Sequence, residues 1–285
     1  MPLERLPLWL RALDRIAGAA ERLARLAAAV RDESAMAWTR PRDRARLTSL
    51  VFDRQQTYAP GGRTFALGLL AWEHEILAPP FPVRGRVLIG GAGGGREAMV
   101  LIGRGYDVVA FDPAAELVRA GAPVIQAAGG VLLCASYADV VRAASGEITP
   151  LGDVFAAAFD GVLLGWGSFS LVVSDDERLS ILRALRTLAP NAPVALSFDE
   201  PAHPEIPGSG VGRARAGLRR LYGRMGAPGH TGERMRYAAW AGILRESSID
   251  EVAAVARAAG YDVTKQGSAQ GRMLLVPVDW PASPG

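Results

Sequence analysis

Val87-Leu88-Ile89-Gly90-Gly91-Ala92-Gly93-Gly94-Gly95-Arg96-Glu97 is the stretch that decides the fold. An apolar run passes into glycines and then into charged residues that open a helical pattern. Glycine lets a backbone turn sharply and approach a ligand closely. The first turn of a helix presents free N–H groups and a partial positive charge. A strand that feeds a helix through such a loop makes a seat for an anionic or polar ligand at the carboxyl end of a sheet.

Phe111-Asp112-Pro113 ends the next apolar run, and Asp112 lies 17 residues beyond Gly95. That separation suits a carboxylate accepting both hydroxyls of a ribose. Pro113 is placed to start the following helix. Together the two features predict a nucleoside-containing cofactor. The dinucleotide pattern G-x-G-x-x-G fails from Gly91, because its third position is Arg96; a match from Gly93 ends in Ala98 and begins late after the strand. The spacing G-x-G-x-G is met by Gly91, Gly93 and Gly95.

Around this segment the chain alternates. Arg86–Ile89, Asp107–Phe111, Val131–Cys134, Gly161–Gly165 and Pro193–Phe198 read as buried strands. Helical patterns lie between them at Glu97–Gly103, Ala114–Ala120, Tyr137–Ala144 and Asp176–Leu188. Continuous rather than alternating apolar character suits strands covered on both faces. Repeated strand–helix–strand units imply a doubly wound α/β sheet with right-handed crossovers. Ser248–Ala259 reads as a capped helix, and Tyr261–Lys265 with Arg272–Val278 as a closing hairpin.

The N-terminal part differs. Leu6, Leu10, Leu13, Ile16, Ala20, Leu23, Ala27 and Val30 recur at helical spacing over residues 3–31, with arginines between them. A helix packed on its own domain, a dimer seam and a membrane-surface helix all fit. Phe65–Leu77 has helical pattern, and Pro79, Pro80 and Pro82 then place a boundary at residue 82. Residues 1–82 are thus expected to form a helical lid, and 83–285 an α/β domain. Within the latter, 200–235 is too long for an ordinary connection and is expected to be a substrate cap. Its basic middle (Arg213, Arg215, Arg219, Arg220, Arg224) reads as a solvated helix face or a hold on an acidic substrate.

At this point the chain resembles the class I S-adenosylmethionine-dependent methyltransferases, over roughly residues 83–199 and 240–279. Val87 to Gly95 looks like their first motif and Asp112 like their ribose-binding acid. Phe159 to Ser168 is similar to their fourth strand and its loop. The resemblance implies a seven-stranded, mostly parallel sheet with an antiparallel last strand. It implies S-adenosyl-L-methionine as cofactor and methylation at O or N of a small molecule. Gly91, Ala92, Gly93 and Gly95 would cradle the methionine part and Asp112, with Pro113, the ribose. Ser136 and Tyr137 would lie by the adenine, Gly165 and Trp166 by the methyl-transfer site, and Tyr58 against the cofactor's carboxylate. One position departs from the family: Ile89 stands where an acid is usual, two residues before the first glycine. Glu97 is able to replace that charge, but reads more simply as a surface acid in a helix first turn.

Methyl transfer from a sulfonium needs proximity and alignment, worth up to roughly 7–11 kcal/mol, and a base only where the acceptor loses a proton. His203 and His230, in the expected cap, are the catalytic candidates. Asp199 and Glu200 after the fifth strand are further ones. His74 reads as a solvated helix residue. No metal is expected. Two alternatives stay open: an NAD-dependent oxidoreductase, and a non-catalytic relative.

Composition narrows the setting. The 285 residues are 49% hydrophobic and 21% charged, with a net charge of +3 and one cysteine, Cys134. Those values suit a globular chain without a disulfide framework. No like-charge run points to nucleic acid. No apolar stretch approaches the ~18 residues that span a bilayer, and nothing resembles a signal peptide. The expected setting is the cytoplasm, with a small-molecule substrate and a monomer or homodimer.

Overall fold

The computed structural model describes residues 7–201, 210–229, 234–266 and 271–280. Three helices, α1 (Leu8–Trp38), α2 (Arg44–Asp53) and α3 (Ala71–Ile76), precede the first strand. The α/β units are β1 (Arg86–Gly90), α4 (Arg96–Gly103), β2 (Asp107–Asp112), α5 (Ala115–Ala127), β3 (Val131–Cys134), α6 (Tyr137–Ala144) and β4 (Gly161–Leu164). After them come α7 (Ser168–Leu171), α8 (Asp175–Leu188), β5 (Val194–Ser197), α9 (Gly210–Arg224), β6 (Met235–Ala238), β7 (Gly242–Arg245), α10 (Ile249–Ala258), β8 (Tyr261–Gln266) and β9 (Arg272–Pro277).

Seven strands form one sheet in the order β3-β2-β1-β4-β5-β9-β8. The first five pair in parallel, and β9 runs antiparallel between β5 and β8. The apolar runs alternate faces, as a pleated strand requires. Leu88, Phe111, Val162, Leu164 and Leu196 belong to one core layer. Val87, Ile89, Ala110, Leu163 and Ala195 belong to the other. Strand order reverses between β1 and β4, and a doubly wound sheet opens its crevice at such a point. There Gly165 N donates to Gly90 O at 2.9 Å, joining the two loops that leave the sheet.

The strands fall within a residue of the expected ones. The helices depart more. α5 runs on to Ala127 through Pro123, because Val118 and Ile125 bury against the sheet and outweigh the lost backbone bond. The expected helix 65–77 is a 3₁₀ turn at Phe65–Leu67 and then α3, broken by Gly68 at φ 61°. Residues 210–224 form α9, which packs on α1, while β6 and β7 make a separate two-stranded ribbon that the sequence pattern does not announce. Among the described residues, no helix is long and apolar enough to cross a membrane.

The arginines of α9 have a structural task. Glu33, fully buried on α1, accepts from Arg219 Nε at 2.8 Å and Arg215 Nη1 at 3.1 Å; Asp32 accepts from Arg215 at 3.1 Å. These bonds close the α1–α9 contact, with Ser34 and Tyr222 hydroxyls 2.7 Å apart beside them. Glu33→Gln is expected to cost roughly 2 kcal/mol, less than a fully buried pair because both arginines reach water. Hydrogen exchange should then speed up over 210–224 while the seven-stranded sheet keeps its protection.

Candidate active site

A cavity of about 820 Å³ lies at the carboxyl ends of β1 to β4, within the ~300–1,000 Å³ common for small-molecule sites. The loop after β1 supplies Gly91, Ala92 and Gly93; the end of β2 supplies Asp112 and Pro113. The loops after β3 and β4 supply Ser136, Tyr137 and Trp166. The N-terminal helical part closes the far side with Phe52 and Tyr58, and α8 adds Asp176, Glu177 and Ser180.

The glycine crossover explains its own spacing. Gly91, Gly93 and Gly95 take φ values of 69°, 55° and 95°, the left-handed region that other residues avoid. Gly94 between them is clamped. A Cβ at Gly121 of α5 would collide with the Gly94 carbonyl, and one at Gly94 with the Tyr58 carbonyl. A side chain at Gly93 would instead meet only Leu117 and Tyr58, at 3.8 and 3.9 Å, and would stand in the cavity. The loop is therefore pressed from behind and left bare toward the space a ligand would fill.

Asp112 sits at the floor of this cavity, 8% exposed. Its Oδ2 accepts from Gly93 N at 2.7 Å and its Oδ1 from Ala114 N at 2.8 Å. Burial pushes its pKa up to about 6, against the pull of those two N–H groups. No ion pair to Asp112 occurs among the described residues. Each oxygen keeps a second lone pair, and a vicinal diol supplies the missing donors.

Glu97 is the main correction to the sequence reading. It is not a surface acid: it is 3% exposed and lines the cavity. Arg96, itself buried, donates to Glu97 and to Glu73 of α3, the latter at 2.8 Å. One buried cation thus bridges two buried carboxylates. Burial raises the Glu97 pKa to about 7; Arg96 opposes this and Glu73 adds to it. Burial works against the Arg96 charge, but the bonds to Glu73 and Glu97 prevail and raise its pKa. Arg96 also lies 4.9 Å from the centre of the Trp166 ring. Trp166 continues an aromatic row, 6.1 Å from Tyr58, which is 5.7 Å from Phe52.

The site residues expected from sequence separate into three groups. Tyr58, Gly91, Ala92, Gly93, Asp112, Pro113, Ser136, Tyr137 and Trp166 all line the cavity. Gly95 and Gly165 stand behind it. Gly95 caps α4 against Ile125, and a Cβ at Gly165 would lie 3.2 Å from Glu97 Oε1. His203 and His230 lie outside the described residues. Tyr137 is partly committed already: its hydroxyl is 2.7 Å from Ser168 Oγ and its ring stands edge-on to Phe111. Ser136 caps α6 in a box with Asp139. Asp199 and Glu200 do not line the cavity, and Asp199 pairs with Arg236 at 3.4 Å. His74 is exposed and contacts Arg104 at 2.8 Å. None of residues 210–229 lines the cavity; Trp240, in the β6–β7 turn, does.

The sequence gives no sign of Phe52 or α8 at the site, and offers Glu97 only as a replacement for the charge missing at Ile89. Only Glu97 had a signal available, as an acid one residue after a cation at the end of the glycine run.

No protein-family model matches the chain, and no curated protein matches it. Some solved structures are similar to it over part of their length. The sugar N-methyltransferase KedS8 from Streptoalloteichus sp. is 15% identical over 72% of this chain and 85% of its own, with a TM-score of 0.48. The CcbJ methyltransferase from Streptomyces caelestis is 15% identical over 67% and 83%, at 0.45. Magnesium protoporphyrin IX methyltransferase from Synechocystis, solved with S-adenosylhomocysteine, is 14% identical over 67% and 73%, at 0.43.

Two measurements test this geometry. Gly121→Ala must push back the Gly94 carbonyl, so it should cost about 1–3 kcal/mol, the range for overpacking, read by urea unfolding. The raised Glu97 pKa means that the folded chain holds this proton more tightly than the unfolded one. Its charge therefore costs stability as pH rises through the window between the usual Glu pKa and about 7. Wild type should lose about 1–3 kcal/mol relative to Glu97→Gln between mildly acidic and neutral pH; parallel pH profiles would place the titration elsewhere.

Proposed function

We propose that this chain is an S-adenosylmethionine-dependent methyltransferase acting on O or N of a small molecule. The observation that carries the reading is Asp112: a buried carboxylate without a cation partner among the described residues, at the end of β2, across from a G-x-G-x-G crossover. A ribose diol satisfies it, and the bare face at Gly93 leaves the room.

When bound, the cofactor supplies a methyl group already activated on a sulfonium. Everything else falls to the chain. Asp112 holds the ribose hydroxyls. The crossover backbone and the α4 N-terminus face the amino-acid end, where Glu97 supplies the negative charge that Ile89 lacks. Tyr58 and Trp166 offer aromatic faces to a cation. The helix α2 and the Tyr58 loop act as a lid that excludes water, so that charges inside interact strongly. The acceptor enters between α2 and α8, beside Thr48, Ser49 and Ser180. His203 and His230 are the candidates for a base where the acceptor must lose a proton.

Calorimetric titration with S-adenosylhomocysteine and with NADH tests the reading. The homocysteine nucleoside should bind and NADH should not; tight NADH binding alone overturns it. Asp112→Ala should weaken binding at least tenfold, since a charge-assisted hydrogen bond is typically worth ~1.5–3 kcal/mol. Affinity for the sulfonium cofactor should rise as pH passes about 7, where Glu97 ionises, and this rise should vanish in Glu97→Gln.

A further inference from the structure

We infer that α1 carries the seam of a parallel homodimer. Trp9, Leu13, Ile16, Ala20, Leu23, Ala27 and Val30 follow one another at alternating steps of four and three residues. All seven are exposed, with the five larger ones between 48% and 68%. Single exposed apolar residues need no explanation, but a continuous stripe does. This one runs roughly 30 Å along the helix and keeps a mean period of 3.5 residues, the signature of a left-handed two-helix seam.

The described residues of the chain do not cover the stripe. Contact with the body is made on the opposite side of α1, where Asp32 and Glu33 are buried against the arginines of α9. From Ala12 to Ala27 nearly every residue is exposed. A helical arm of that length gains little from its own domain, and helices in water draw most of their stability from packing.

The flanks choose the occupant. Beside the stripe stand Ala12 and Ala19 on one edge, Ala17 and Ala24 on the other, small enough for close approach. Further out, Arg15 and Arg22 lie on the first edge, Asp14 and Glu21 on the second. In a parallel pair each copy's first edge meets the partner's second, so arginines and the partner's acids share each flank, attracting through the longer-range field rather than as direct pairs. An antiparallel pair sets arginine against arginine and acid against acid. Among the described residues Glu21 is held by an exposed 3.5 Å pair with Arg25, which is worth little. A second copy of this chain therefore supplies both the apolar surface and the charge pattern that the stripe requires.

Sedimentation velocity on the full chain at micromolar concentration should show a dimer. Combining Leu13→Glu, Ile16→Glu and Leu23→Glu should raise its dissociation constant at least a hundredfold. The near-ultraviolet circular dichroism of the body should stay the same, because all three side chains are exposed. A parallel seam brings the two Ala20 residues face to face, so Ala20→Cys in a Cys134→Ser background should oxidise to a covalent dimer. A monomeric parent, a triple variant that stays dimeric, or an Ala20→Cys variant that does not cross-link overturns the inference. So does a monomer that binds anionic vesicles through the stripe.

Discussion

The site depends on how closely the Gly90–Gly95 crossover is pressed between its neighbours. The Gly94 carbonyl lies against Gly121 of α5, and the Tyr58 segment closes over Gly94 from the other side. A side chain at either glycine would lift the loop, because protein interiors have no slack to absorb a methyl group. That confinement holds Gly93 N toward Asp112 and leaves the opposite face of the loop bare. The ligand seat is thus a consequence of helix–sheet packing, and it ties the N-terminal helical part to the α/β core.

Charge follows the same logic. Asp112 is buried with backbone N–H donors only, whereas Glu97 is buried with Arg96 and shares it with Glu73. Above about pH 7, where Glu97 is ionised, an arginine between two carboxylates leaves a net negative charge at the cavity wall. Such a site repels a second anion and favours a cation, which suits a sulfonium and an ammonium at one end of a nucleoside ligand. The Glu73–Arg96 pair reaches from α3 to α4, so the docking of the N-terminal helical part and the electrostatics of the site are built from the same bond.

Most of the sheet was legible from sequence because each central strand is apolar on both faces and bounded by glycine or a charged residue. The glycine crossover and Asp112 were legible because both depend on local backbone demands. What escaped depends on distant contacts. Glu97 looks like an ordinary first-turn acid until α3 brings Glu73 over it. Arg215 and Arg219 look like a solvated face until α1 presents Glu33. The ribbon β6–β7 lies in one continuous apolar run, Tyr237–Leu244 between Arg236 and Arg245, with no polar residue or proline to mark its turn, and Pro123 hides the second half of α5.

On the proposed function, the crevice at the β1–β4 switch point holds an adenosyl ligand with its ribose on Asp112. A crystal structure of the protein grown with both S-adenosylhomocysteine and NADH tests it most directly. Electron density is expected for the homocysteine nucleoside, with its two ribose hydroxyls on the Asp112 carboxylate and its amino group toward Glu97. A nicotinamide in that crevice, or an adenosyl ligand bound elsewhere, would contradict it.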